Sequence, residues 1–138
     1  MLTSDLRVPP PAVVTVLGVV AVLVYAVSFF LPVFLEDAGY HALLFSLVSV
    51  VALPMWLANP FFWSGLAGLC RGEYRAARKA GLAGLVLALS ECWLFSKGLR
   101  VGYFTWAGSM ALLAVAGWCG QAQRGAPLPQ PRVTGLRR

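Results

Sequence analysis

The stretch AVVTVLGVVAVLVYAVSFFLPVFL, from Ala12 to Leu35, decides the fold, because it carries no charged residue over 24 positions. A helix of about 20 apolar residues is enough to cross a bilayer core roughly 30 Å thick. The whole chain is 59% hydrophobic and 12% charged, with a mean hydropathy of +0.77. Soluble domains carry about 25% charged residues. We therefore predict an integral membrane protein whose apolar surface is solvated by lipid.

Three further apolar segments follow, and together the four predict an all-α, integral membrane four-helix bundle. Helix 1 is predicted at residues 12–33, helix 3 at 76–95 and helix 4 at 101–120. Only the segment SKGLR separates the last two, so we expect them to form a tight antiparallel hairpin. This membrane domain, 12–120, follows an N-terminal cytoplasmic segment, 1–11, and precedes a disordered cytoplasmic tail, 121–138.

The second helix has two possible starts, because its uncharged run, 42–70, is too long for one upright span. Pro54 and the Asn59–Pro60 pair interrupt this run. Either the run is one long, kinked helix, or residues 39–52 form a short interfacial helix and the crossing helix begins near Leu53. The second interpretation is favoured, since prolines mark helix starts and kinks.

Basic residues predict the orientation of the bundle. Nine of the eleven Lys and Arg fall on one side of the predicted spans, and two, Lys97 and Arg100, fall on the other. The positive-inside rule then places both termini and the central loop in the cytoplasm. Because the charges cluster at the ends of apolar runs, we expect contact with the lipid bilayer and no nucleic-acid partner. Four of them are predicted to contact anionic lipid headgroups: Arg71, Arg75, Arg78 and Lys79.

Aromatic residues near the opposite ends of the spans suggest an interfacial belt. Its predicted members are Phe29, Phe30, Phe34, Tyr40, Trp93, Tyr103, Phe104 and Trp106, with Trp118 at the inner interface.

Helix 3 carries a small residue at every fourth position. The stripe consists of Ala76, Ala80, Gly84, Ala88 and Cys92. Small residues let helices approach closely, and close packing drives helix association in lipid. Packing within the bundle is the favoured use, and a face for another subunit is the alternative.

Two polar residues are candidate sites at membrane depth. Glu91 is a carboxylate in the apolar run LALSECWLF, where it either pairs with Lys97, Arg100 or His41, or is protonated inside the bundle, or couples transport to a proton or cation. The first use is favoured. Asn59 either bonds across helices or compensates for the N–H that Pro60 lacks, and both structural uses are favoured over a ligand site.

The remaining residues offer no catalytic or metal-binding set. There is one histidine, the three cysteines are scattered, and no phosphate loop or dinucleotide motif is present. We predict no catalytic residue, no metal and no cofactor, and an integral membrane enzyme is the weakest hypothesis.

Four segments of the chain resemble a group of small, uncharacterised bacterial four-span inner-membrane proteins. They are SFFLPVF at 28–34, WLANP at 56–60, CRGEYRAARKAGLAGLVLALS at 70–90 and GYFTWAGSMALLAVAG at 102–117. The group's last helix opens with G-Y-Y-x-W-x-x-S-M, where this chain has Phe104 as the second aromatic, and Glu91 is not part of the group's pattern. The resemblance implies a multi-pass protein of the bacterial inner membrane and adds no catalytic residue.

These observations predict a non-enzymatic membrane protein that acts through helix association. Its partners would be further copies of itself or other membrane-protein subunits, so it would be a homo-oligomer or an accessory subunit of a larger membrane complex. The alternative is a small proton-coupled transporter or channel subunit that uses Glu91.

Overall fold

The computed structural model describes residues 10–34, 37, 38, 53–90, 92 and 99–125, and this part of the chain is predominantly helical. Its four helices are α1 (Ala12–Ser28), α2 (Leu53–Arg71), α3 (Tyr74–Ser90) and α4 (Val101–Gly125). A short antiparallel pair, β1 (Pro32–Phe34) and β2 (Asp37–Ala38), follows α1. The predicted all-α bundle is therefore confirmed, whereas the predicted interfacial helix over 39–52 lies outside the described residues.

The longest helix, α4, lies between α1 and α3 and packs against both. The remaining helix, α2, packs mainly against α3 and meets α4 and α1 over smaller areas. The core therefore centres on the inner face of α4, where Tyr103, Met110 and Leu113 are fully buried. Helices α3 and α4 run antiparallel, since Gly81 lies against Ala114 and Gly117 lies against Arg78, and α4 also begins beside the end of α1, where Gly102 lies against Leu31.

Helix α1 ends five residues before its predicted end at residue 33, because Pro32 cannot continue it. The amide N–H groups of Phe29, Phe30 and Leu31 bond three residues back, which tightens the last turn. Pro32 lacks an N–H and moves the preceding residue out of the helical region. The chain therefore leaves the helix at Leu31 and enters β1 instead.

A two-residue turn, Gly72–Glu73, reverses the chain between α2 and α3. Gly72 has φ of 74°, a left-handed conformation that glycine adopts without strain. Its N–H bonds to the carbonyl of Leu69, and the N–H of Glu73 bonds to the carbonyl of Gly68. These two bonds form a Schellman motif, which satisfies carbonyls at the end of α2. The turn is short enough to hold α2 and α3 side by side.

Helices α3 and α4 approach so closely that their backbones touch. A Cβ at Gly117 would lie 2.6 Å from the backbone nitrogen of Arg78, and a Cβ at Gly81 would lie 2.6 Å from the backbone nitrogen of Ala114. Real Cβ atoms essentially never show such distances. The predicted α3–α4 hairpin packing is therefore present, with glycines from both helices at the contact.

The other helix ends also differ from the sequence expectations. Helix α3 begins at Tyr74 and ends at Ser90, and so is shifted toward the N-terminus relative to 76–95. Helix α4 continues to Gly125, five residues beyond the predicted boundary at Gly120, so residues 121–125 do not belong to a disordered tail. The side chain of Gln121 donates a 3.2 Å hydrogen bond to the carbonyl of Tyr74, which ties this extension to α3.

Among the described helices, Val101–Gly125 is the one whose length and apolar composition suffice to cross a membrane. Ala12–Ser28 is apolar but shorter, at 17 residues.

Candidate functional site

Asn59 lies where three helices meet and links them by hydrogen bonds. Its Oδ1 accepts a 2.8 Å bond from the hydroxyl of Tyr25 on α1 and a 3.1 Å bond from the indole N–H of Trp106 on α4. Tyr25 and Trp106 are both buried. One side-chain oxygen on α2 therefore joins α1 to α4, and we name these three residues the asparagine junction.

The same side chain also compensates for Pro60. In an unbroken helix the N–H of residue 60 would bond to the carbonyl of Trp56, but proline has no N–H to donate. The Nδ2 of Asn59 lies 3.2 Å from that carbonyl and donates to it instead. The two alternatives for Asn59, a bond across helices and a repair of the proline gap, thus occur together. Both the oxygen and the nitrogen of its amide therefore form structural hydrogen bonds.

Aromatic rings enclose the asparagine junction. The ring of Tyr25 stacks on Phe62 with centroids 4.3 Å apart and an angle of 8°, and meets Trp63 edge to face at 5.6 Å. The ring of Phe29 also meets that of Tyr25 edge to face, at 5.2 Å. This shell keeps the hydrogen bonds of Asn59 in an apolar environment, where an unpaired polar group is costly.

The small-residue stripe of α3 is only partly the contact face. Gly84 and Ala88 are buried, while Ala76 is exposed and Ala80 is half-buried. A step of four residues turns 400° around a helix, so a strict four-residue stripe drifts by about 40° at each step. The buried face instead alternates steps of four and three: Ala77, Gly81, Gly84 and Ala88.

Two described residues of the stripe, Gly84 and Ala80, lie against neighbouring helices of the same chain. At Gly84, a Cβ would lie 3.1 Å from the sulfur of Met110 on α4 and 3.4 Å from the carbonyl of Ala58 on α2. Ala80 faces α2, since its Cβ is 3.1 Å from the position of a Cβ at Gly65. The stripe therefore packs against elements of the same chain over most of its described length.

The outer side of α1 presents an apolar seam that no described element covers. Five exposed residues recur at alternating steps of three and four: Val13, Val16, Val20, Leu23 and Val27. This spacing is that of a helix–helix interface of the coiled-coil type. We call these residues the α1 outer seam. The opposite side of α1 carries the residues that pack inward, Val14, Gly18, Ala21 and Tyr25.

At the end of the bundle where α3 begins and α4 ends, two arginines stack on aromatic rings across the α3–α4 contact. The guanidinium of Arg124 on α4 lies 4.6 Å from the ring centroid of Tyr74 on α3. The guanidinium of Arg78 on α3 lies 5.8 Å from the ring centroid of Trp118 on α4. Each helix thus supplies one arginine and one ring, and cation–π attraction favours both pairs. We call this the basic end.

The four predicted headgroup contacts gather at this basic end. Arg71, Arg75 and Lys79 are exposed, and Arg78 is half-buried with its Nε shielded from solvent and without a partner among the described residues. The bundle separates them from Arg100, which precedes α4 at the opposite end.

Glu91, the other candidate polar site, lies outside the described residues, as do Lys97 and His41, two of its suggested partners. Cys92, the last stripe residue, lies in the turn after α3 and is half-buried. Of the candidate polar residues, the structure therefore gives the surroundings of Asn59 alone.

Sequence reasoning missed Tyr25 and Trp106, the partners of Asn59. Trp106 was expected in an interfacial aromatic belt together with Tyr103, but both are buried, and Tyr103 donates a hydrogen bond to the carbonyl of Ala88. Phe30, Phe104 and Trp118 do face outward. A sequence signal was present for Tyr25, since it is a hydroxyl in an apolar helix and a buried hydroxyl needs a partner.

No protein-family model matches this chain, and comparisons with curated proteins and with solved structures give no significant match.

Proposed function

We propose that this chain is a multi-pass membrane protein that acts through helix association rather than catalysis. It would work as a homo-oligomer or as an accessory subunit of a larger complex in a bacterial inner membrane. The observation that carries the proposal is the distribution of polarity: hydrogen-bonding side chains such as Asn59 and Ser109 are turned inward and paired, while large apolar side chains cover the outside. Lipid or a partner helix, and not water, suits such an exterior.

The α1 outer seam is the surface that best fits a partner helix. Its five apolar residues keep one register along the whole helix, so a second helix could follow it without a break. The small-residue stripe of α3, by contrast, is largely occupied by α2 and α4. Association would therefore use α1, whose outer seam no described element covers.

The orientation part of the proposal predicts opposite labelling of the two ends. We expect Cys70, which is exposed at the basic end, to react with a membrane-impermeant maleimide only in inside-out vesicles. The measurement uses a variant with Cys92 and Cys119 replaced by alanine. In a cysteine-free background, Val101→Cys marks the opposite end and should react only in intact spheroplasts. Labelling of both positions from the same side would contradict the proposed orientation.

The association part predicts cross-linking from the α1 outer seam. A photo-reactive phenylalanine analogue at Val16 should give a covalent adduct with a second copy or with another membrane protein when native membranes are illuminated. The matched control carries the same group at Val86 on α3, which is exposed to 67% against 59% for Val16. If random lipid-phase collisions caused the adduct, Val86 would react at least as well.

Two outcomes would count against association through α1. Equal adduct yields at Val16 and Val86 would indicate no preferred surface. Monomers alone at both positions, together with a monomeric mass in mild detergent, would contradict helix association altogether.

A further inference from the structure

A recess opens at the basic end where the N-terminus of α3 meets the C-terminus of α4. It has a volume of 360 Å³ and is lined by Tyr74, Arg75, Gln121, Arg124 and Gly125. Two of these five residues are arginines. The recess is thus a concave surface with two cationic side chains.

Arg124 is held in place on two sides. Its guanidinium stacks on the ring of Tyr74 at 4.6 Å, and its Nη2 lies 2.6 Å from the position that a Cβ of Gly72 would take. Gly72 therefore provides the space that Arg124 occupies. A guanidinium stacked on a ring still has N–H groups at its edge, and these are free to bind an anion.

The ring that supports Arg124 is itself fixed. Tyr74 is buried, its ring packs directly on Gly120, and its carbonyl accepts the hydrogen bond from Gln121. The position of Arg124 thus depends on a rigid part of the α3–α4 contact rather than on a mobile side chain. Preorganised donors bind more tightly because less conformational entropy is lost on binding.

The charge around the recess is uncompensated by ion pairs among the described residues. Arg75 and Arg124 form no salt bridge there, and Glu73, the nearest carboxylate along the chain, is exposed. One helical turn after Tyr74, Arg78 keeps a buried Nε without a partner in the same part of the chain. An anion would relieve the repulsion between these cations.

We propose that this recess is a binding site for a phosphate group, with Arg124 as the bidentate ligand and Arg75 as the second cation. Arginine matches the geometry of phosphate oxygens through two parallel N–H donors, which lysine does not. Two sources share this chemistry: the headgroup of an anionic lipid and a soluble phosphate. The site does not depend on helix association, so either proposal can fail without the other.

The test is calorimetric titration of the full chain in a non-ionic detergent at constant ionic strength. The probes are dioctanoyl phosphatidic acid, inorganic phosphate and the uncharged dioctanoyl glycerol. We expect Arg124→Gln to weaken phosphatidic acid binding by about tenfold or more, because hydrogen bonds to a charged group are lost. Arg71→Gln is the matched control, since it removes one charge at the same end but does not line the recess.

The outcomes separate a built site from diffuse surface charge. Arg124-dependent binding of phosphatidic acid without binding of inorganic phosphate identifies a lipid headgroup, and Arg124-dependent binding of inorganic phosphate identifies a soluble ligand. Equal losses in Arg124→Gln and Arg71→Gln, or equal binding of dioctanoyl glycerol, would overturn the proposal. Arg75→Gln, at an exposed position, provides a second variant in case loss of Arg124 disturbs folding.

Discussion

Replacement of Gly117 by alanine should destabilise the bundle by about 3 kcal/mol, because the added methyl has no room between α3 and α4. A Cβ there would lie 2.6 Å from the backbone nitrogen and 2.9 Å from the Cα of Arg78. Both atoms are backbone, so no side chain can rotate to make space, and the whole helix must move. Reversible unfolding in mixed detergent micelles, followed by circular dichroism, measures the change in the free energy of unfolding.

Gly108→Ala is the matched control, since it makes the same change in the same helix. A Cβ at Gly108 meets nothing within 4 Å. Alanine is better than glycine in a helix by about 1 kcal/mol, so this variant should be as stable as the wild type or slightly more stable. Opposite signs for the two substitutions are the expected result. Similar small effects at both positions would mean that α3 and α4 do not approach as closely as described.

The helical class could be predicted from the sequence because each long uncharged apolar run indicates a helix within its own segment. Each apolar segment indicates a helix whatever its neighbours are. The positions of the helix ends were predicted less accurately, since they depend on which individual hydrogen bonds form. The bonds to the carbonyls of Ala26, Val27 and Ser28, for example, close α1 before Pro32. The end of α4 depends on a tertiary contact, the bond from Gln121 to Tyr74, which no local pattern in the sequence indicates.

Of the asparagine junction, only Asn59 itself could be predicted from the sequence. Asn59 could be singled out because an amide beside a proline is unusual within an apolar segment. Its partners lie 34 and 47 residues away, and a single sequence does not indicate such distances. The stripe on α3 was identified by its period, but the buried face follows steps of four and three, because a strict step of four drifts around a helix with 3.6 residues per turn.

The asparagine junction should behave as one unit, and Asn59→Leu is its strongest test. Leucine has similar volume but cannot accept the bonds from Tyr25 and Trp106, so two buried donors lose their partner. We expect a loss of about 2–3 kcal/mol in the free energy of unfolding, measured by the same detergent titration.

A double-mutant cycle separates this loss from a general packing defect. In the wild-type chain, Tyr25→Phe removes one bond and should destabilise the bundle by about 1 kcal/mol. In the Asn59→Leu background the hydroxyl of Tyr25 has already lost its acceptor, so removing it should be neutral or stabilising, since a buried unpaired donor is then eliminated. Additive losses would mean that the hydroxyl contributes independently of Asn59. The amide nitrogen of Asn59 is also bonded to the carbonyl of Trp56, and Asn59→Leu removes that bond too. Tyr25→Phe affects only the bond to the amide oxygen. Coupling between the two substitutions would therefore show that the oxygen of Asn59 holds α1 and α2 together, in addition to the compensation for Pro60.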